Sequence, residues 1–159
     1  MLFEAALARA GFMPVAQAVR EYKERKWTET EHNLDRVFER DGVAYGAEVK
    51  NTLRYIDAKE FSIKLRMCEW LGLRPLFIVR MMPKVYNWTV IKNGGFSLIF
   101  EYQLYPFGSE EMARMIRTRL GLPVDCPSAI QVGTVQRLLN WQGTNSGCEF
   151  EFKFTHRDR

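Results

Sequence analysis

The stretch Asn33-Leu34-Asp35-Arg36-Val37-Phe38-Glu39-Arg40-Asp41-Gly42-Val43-Ala44-Tyr45-Gly46-Ala47-Glu48-Val49-Lys50-Asn51 reads as two strands folded about Asp41-Gly42. An Asp-Gly pair suits a two-residue turn, because both central positions of a type I′ turn need positive φ. With that turn Arg40 faces Val43, Phe38 faces Tyr45 and Asp35 faces Glu48. Alternation then sets Asp35, Gly46, Glu48 and Lys50 on one face and Leu34, Phe38, Tyr45, Ala47 and Val49 on the other, which reads as core. Opposed residues have Cβ atoms roughly 5 Å apart, where like charges repel. A cation between Asp35 and Glu48 would remove that penalty. On this reading Gly46 and Ala44 leave room for an ion and a phosphate, and Val49 packs against the next helix.

Working outward, residues 2–10 form a short apolar-sided helix ended by Gly11. Val15 to Tyr22 suits either a helix or a strand, and Lys23 to His32 is a charged connector. After the ribbon, Asp57-Ala58-Lys59-Glu60 starts a helix in the manner of a capping box. Phe61, Leu65 and Cys68 follow at helical spacing, and Gly72 stops it. Pro75 opens the apolar run Leu76-Phe77-Ile78-Val79, a strand buried on both faces. Strand, helix and strand make a right-handed crossover with the last two strands parallel. Residues 83–91 are ambiguous, Asn93-Gly94-Gly95 is a turn, and Phe96 to Tyr105 reads as a strand. Ser109 caps a helix closed by Gly121, residues 134–141 form another, and the alternation from Cys148 to Phe154 suggests a late edge strand.

At 159 residues the chain suits a single domain over 1–143, with 144–159 as a tail or that late strand. Hydrophobic residues at 47% and charged residues at 26% are ordinary for a folded soluble protein. The net charge of +4 is compatible with a polyanionic partner. Cys68, Cys126 and Cys148 form no CxxC pair, so neither a zinc site nor a disulfide framework is supported, and a reducing cytoplasm is expected. No apolar run reaches membrane-spanning length. The absence of GxxxxGK[ST], GxGxxG after a strand, HExxH and GxSxG disfavours a nucleotide-driven motor, a nucleotide cofactor or a serine hydrolase.

Asp35 followed across a tight hairpin by Glu48-Val49-Lys50, with a crossover after it, resembles the PD-(D/E)xK nuclease superfamily over roughly residues 2–80. Leu34 stands where that pattern has proline. The resemblance implies an α/β, restriction-endonuclease-like core of αβββαβ type, with a central mixed β-sheet flanked by helices. It implies an Mg²⁺- or Mn²⁺-dependent endonuclease of restriction or repair and junction type, acting on DNA and in some cases as a homodimer. Asp35, Glu48 and Lys50 would be catalytic. Asp35, Glu48 and the backbone carbonyl of Val49 would hold the metal, and Glu4 is the candidate for a further acid from the first helix, with Glu21 and Glu24 as alternatives. Asn51, Arg54 and Lys64 are candidate phosphate contacts. Competing readings are a nucleic-acid-binding module that keeps the fold without cleavage, and an assembly domain that dimerises through its aromatic surface and late strand.

Overall fold

The computed structural model describes residues 2–145. Its elements in chain order are α1 (Leu2–Arg9), β1 (Met13–Val19), β2 (Glu21–Tyr22), β3 (Arg25–Lys26), β4 (Leu34–Arg40), β5 (Val43–Lys50), α2 (Ala58–Leu71), β6 (Arg74–Val79), α3 (Lys84–Lys92), β7 (Phe96–Ile99), β8 (Gln103–Leu104), α4 (Glu110–Leu120), β9 (Val124–Asp125) and α5 (Val132–Asn145). Five strands form one mixed sheet in the order β1-β4-β5-β6-β7. β1, β4 and β5 are antiparallel neighbours, while β6 and β7 continue parallel to β5. This is an α/β fold with helices on both faces of a central mixed sheet, and among the described residues no helix is long and apolar enough to cross a membrane.

The turn that sets the register is the one its residues demand. Asp41 and Gly42 have φ of 51° and 76°, and Arg40 pairs with Val43 and Phe38 with Tyr45. α2 starts at Asp57, whose carboxylate accepts the N–H groups of Lys59 (2.9 Å) and Glu60 (3.2 Å). It ends at Gly72, which takes the left-handed conformation that closes a helix. The two sheet faces are then covered separately. Phe38, Tyr45, Ala47, Leu76 and Ile78 pack with Phe3 and Leu7 of α1 and Leu138 of α5. Val37 and Leu34 pack with Ile63, Met67 and Cys68 of α2, and Phe77 and Val79 with Phe61 of α2 and Val90 of α3.

Several expectations change. Leu34 lies with Val37 under α2 instead of with Phe38, its Cδ1 filling the space beside Gly46, and the β4–β5 ladder stops at Arg36–Ala47. Val49 packs in the α1–α5 layer, not against the crossover helix. Gly46 makes no room for a ligand: a Cβ there would lie 2.8 Å from both Cys68 Sγ and Leu34 Cδ1, so the missing side chain lets α2 sit close to β5. Ala44 likewise packs in the core beneath α2. The open segment Val15 to Tyr22 resolves as strand β1 followed by the short β2, which pairs with β3 in the charged connector. Residues 83–91 become α3, and the long strand from Phe96 breaks at Glu101, whose φ is 67°. Ser109 precedes α4 without a side-chain capping bond, and α5 runs through Asn145. The expected strand from Cys148 to Phe154 lies outside the described residues.

Two glycines test this packing. Gly46→Ala must push aside Cys68 and Leu34, which are side chains, whereas a Cβ on Gly95 would sit 2.3 Å from the backbone carbonyl oxygen of Pro75. Overpacking of the first kind costs about 1–3 kcal/mol. Urea denaturation is expected to show Gly46→Ala in that range and Gly95→Ala clearly worse, and the opposite order would contradict the layer contacts.

Candidate active site at the open end of the ribbon

A strand places alternate side chains roughly 6.6–6.8 Å apart, and four residues of helix rise about 6 Å. β5 and α2 use this near match. Running antiparallel to each other, they juxtapose Gly46 with Cys68, Glu48 with Lys64, and Lys50 with Glu60. The Cys68 thiol lies 3.7 Å from the Gly46 carbonyl oxygen. Lys64 Nζ donates to Glu48 Oε2 at 2.6 Å, and Lys50 Nζ lies 2.7 Å from Glu60 Oε1 and 3.3 Å from Glu48 Oε1. Lys64 also donates to the Asn33 carbonyl, tying α2 to the residue that leads into β4.

Asp35 approaches from β4 where the ladder opens. Its Oδ2 accepts the Val49 N–H at 2.8 Å, taking the place of a backbone acceptor. The Lys50 carbonyl accepts from Arg80 on the β6 side. Amide groups of successive strand residues point to opposite edges, so the Val49 carbonyl is turned with its N–H towards Asp35. The open end of the ribbon therefore gathers the Asp35 carboxylate, the Val49 backbone and, on the α2 face, Glu48 and Lys50.

Glu48 is only 2% exposed. Burial pushes its carboxyl upward; the Lys64 hydrogen bond opposes this, the Asp35 charge adds to it, and the charges of Lys64 and Lys50 do not cancel the rise. For Lys50, burial works against the charge, but the hydrogen bond to Glu60 and the charges of Glu48 and Glu60 outweigh it, and the net shift is upward. Lys50 is thus an ammonium at neutral pH, suited to orienting a water or offsetting negative charge, and unsuited to removing a proton. Burial, followed by the Glu48 charge, holds the Cys68 thiol far above its ordinary value, so it is no nucleophile.

The remaining candidates are distributed differently. Glu4 sits on α1, on the opposite face of the sheet, 3.6 Å from Arg36 Nη2. Glu21 lies in β2 and Glu24 in the turn after it. Asn51 bonds Leu104 twice through its amide, donating at 2.6 Å and accepting at 2.7 Å, and so joins the segment after β5 to β8. Lys64 is buried and engaged with Glu48 and Asn33, whereas Arg54 is exposed. The sequence reading missed Glu60 as a partner of Lys50 and missed Lys64 as a partner of Glu48. The signal was available: residues 60, 64 and 68 share a helical face that also has to cover a strand.

Among the described residues no three His, Cys, Asp or Glu side chains come together as a metal-binding group. Asp35, Glu48 and the Val49 carbonyl nevertheless form an all-oxygen set with two carboxylates close enough for the charge of one to act on the other. That set fits Mg²⁺ or Mn²⁺, which accept one or two carboxylates and fill their remaining positions with water and phosphate oxygens.

The upward shift of Glu48 has a measurable sign. The folded chain holds this proton more tightly than the unfolded chain, so its contribution to stability falls as pH rises from the ordinary value of 4.5 through the raised one. Glu48→Gln removes that dependence. Urea midpoints across pH 4 to 8 are expected to move in favour of the variant, relative to the wild type, as pH increases; movement the other way would mean that Glu48 is not buried as described. No family model, curated protein or solved structure matches this chain.

Proposed function

We propose that this protein is a divalent-metal-dependent nuclease that hydrolyses phosphodiester bonds in DNA, on a core arranged like that of the PD-(D/E)xK superfamily. The observation that carries the reading is the Asp35 carboxylate seated on the Val49 amide at the open end of the ribbon, beside buried Glu48 and its neighbour Lys50. The order of α1, the β1–β4–β5 antiparallel strands, α2 and parallel β6 supports the same reading.

In this mechanism Asp35, Glu48 and the Val49 carbonyl would hold Mg²⁺ or Mn²⁺. The ion, when bound, lowers the pKa of a coordinated water and offsets charge on the phosphate. Lys50 directs its ammonium at the attacking water and the developing negative charge. Glu60 and Glu48 hold Lys50 in place from two sides, and Lys64 keeps Glu48 oriented. The water oxygen bonds to phosphorus, one ester P–O bond breaks, and a proton ends on the departing oxygen. Arg54 is the exposed cation nearest in sequence to this site and is the proposed phosphate contact.

One observation favours a second reading. Both oxygens of Glu48 face lysine ammonium groups, so this carboxylate is already neutralised without a metal. A nucleic-acid-binding module that keeps the fold without cleaving would look the same there. Nicking of supercoiled plasmid with Mg²⁺, with Mn²⁺ and with EDTA separates the two. Cleavage is expected only with metal, and Asp35→Asn, Glu48→Gln and Lys50→Ala are each expected to lose at least about a hundredfold in rate. Circular dichroism melts must show the variants folded. Wild-type protein that binds plasmid and single-stranded oligonucleotides but cleaves neither with Mg²⁺ or Mn²⁺ would discard the nuclease and leave the module.

A further inference from the structure

We infer that the carboxyl edge of the sheet is a platform for the unpaired bases of a single-stranded nucleic acid, so that the proposed hydrolase takes its substrate as single strand. This deepens the nuclease reading and rests on it for the site's chemistry. Tyr55 and Tyr102 are 51% and 46% exposed on the segments that follow β5 and β7. Neither ring packs against another aromatic ring among the described residues, and about half of each residue is open to solvent.

The two segments are braced as one surface. Arg80, buried to 9% exposure, donates to the carbonyls of Thr52 (3.0 Å), Leu53 (3.2 Å) and Glu101 (3.2 Å), which lie a few residues before Tyr55 and directly before Tyr102. The paired Asn51–Leu104 bonds add a second tie between the same segments. A buried arginine that bonds three loop carbonyls, and the Met81 sulfur, fixes the backbone that carries these rings before a ligand binds, which is what a preorganised surface requires.

The platform lies beside the proposed active site along the same edge of the sheet. Lys50, Val79 and Ile99 are neighbours across three adjacent strands, so Ile99 lies about 10 Å from Lys50. Ile99 and Tyr102 line a cavity of about 270 Å³ whose walls also carry Glu101, Asp125, Gln131, Thr134 and Arg137, the last bonded to the Ile99 carbonyl at 2.9 Å, and these polar groups can hydrogen-bond the edge of a base. Exposed Arg54, Lys59 and Lys84 stand on the loop or first helical turn beyond the same strand ends, supplying charge for the phosphates. Stacked bases inside a duplex present edges only, whereas open rings beside a small polar cavity suit bases that are free to turn outward.

The test separates bases from phosphates. A thymidylate dodecamer, a uridylate dodecamer, an abasic dodecamer of equal charge and a twelve-pair duplex are titrated by fluorescence anisotropy in EDTA, using the full chain. At least one of the two base-bearing strands is expected to bind about tenfold or more tightly than the abasic strand, and more tightly than the duplex. Tyr55→Ala and Tyr102→Ala are expected to erase that preference while leaving abasic affinity unchanged, a result that general unfolding could not give. Equal affinity for base-bearing and abasic strands, or preference for the duplex, overturns the platform. Because no metal is present in the titration, base-dependent binding with no cleavage of the same single strands once Mg²⁺ or Mn²⁺ is added would keep the platform and reject the nuclease, and metal-dependent duplex cleavage without base dependence would do the reverse.

Discussion

The buried pair between Glu48 of β5 and Lys64 of α2 is the constraint on which the rest of this molecule depends. Taking a carboxylate and an ammonium out of water costs several kcal/mol for each ion, and their attraction offsets this only with good geometry and further hydrogen bonds. Lys64 meets that condition by also donating to Asn33. The pair is therefore weak evidence for stability but strong evidence for position. If α2 slid by one turn along β5, Lys64 would face either Gly46 or Lys50. The first would set Glu48 against Glu60 and leave Lys64 without its carboxylate, and the second would set two ammonium groups together. Either is far worse than losing a few apolar contacts.

That fixed position explains the open end of the ribbon. With α2 pressed onto β5 through the small residue Gly46, Leu34 fills the space beside Cys68 and leaves the layer that contains Phe38. Its departure takes the β4 backbone away from Val49, and the Asp35 side chain satisfies the amide that the ladder gives up. A closed ladder would have spent the Val49 amide and carbonyl on β4 and kept Asp35 on the sheet surface. Packing on one side of β5 thus creates an oxygen-rich gap at its end, with no requirement that a ligand pull the strands apart.

Where the sequence was legible, one strong local rule was acting. Asp41-Gly42 determined the hairpin and with it the pairing of Phe38 with Tyr45; Asp57 and Gly72 bounded α2; and the run after Pro75 announced a strand covered on both sides. Legibility failed where burial was slight. β1 is an edge strand with mostly exposed residues and an irregularity between Pro14 and Ala16, so it shows no clean alternation. α3 buries only Val90, which leaves no apolar stripe to recognise. In the candidate site, strand alternation placed Glu48 and Lys50 on one face, but the partners on α2 and the displacement of Leu34 depended on a helix position that no two-strand argument contains.

The same reasoning accounts for where chemistry can sit. In a mixed sheet whose β5, β6 and β7 run parallel, the segments leaving their carboxyl ends must turn away to start α2, α3 and the β8 region, and their carbonyls need partners outside the ladder. Most folds let water take such groups. Here Arg80 takes three of them at once, and Asn51 takes both backbone groups of Leu104. The edge beside Lys50 is thereby held by side chains that belong to the sheet, so the exposed residues above it inherit the sheet's rigidity. A site whose charges are fixed by α2 from below and whose rim is fixed by Arg80 from beside can afford exposed aromatic rings without letting them collapse onto the core.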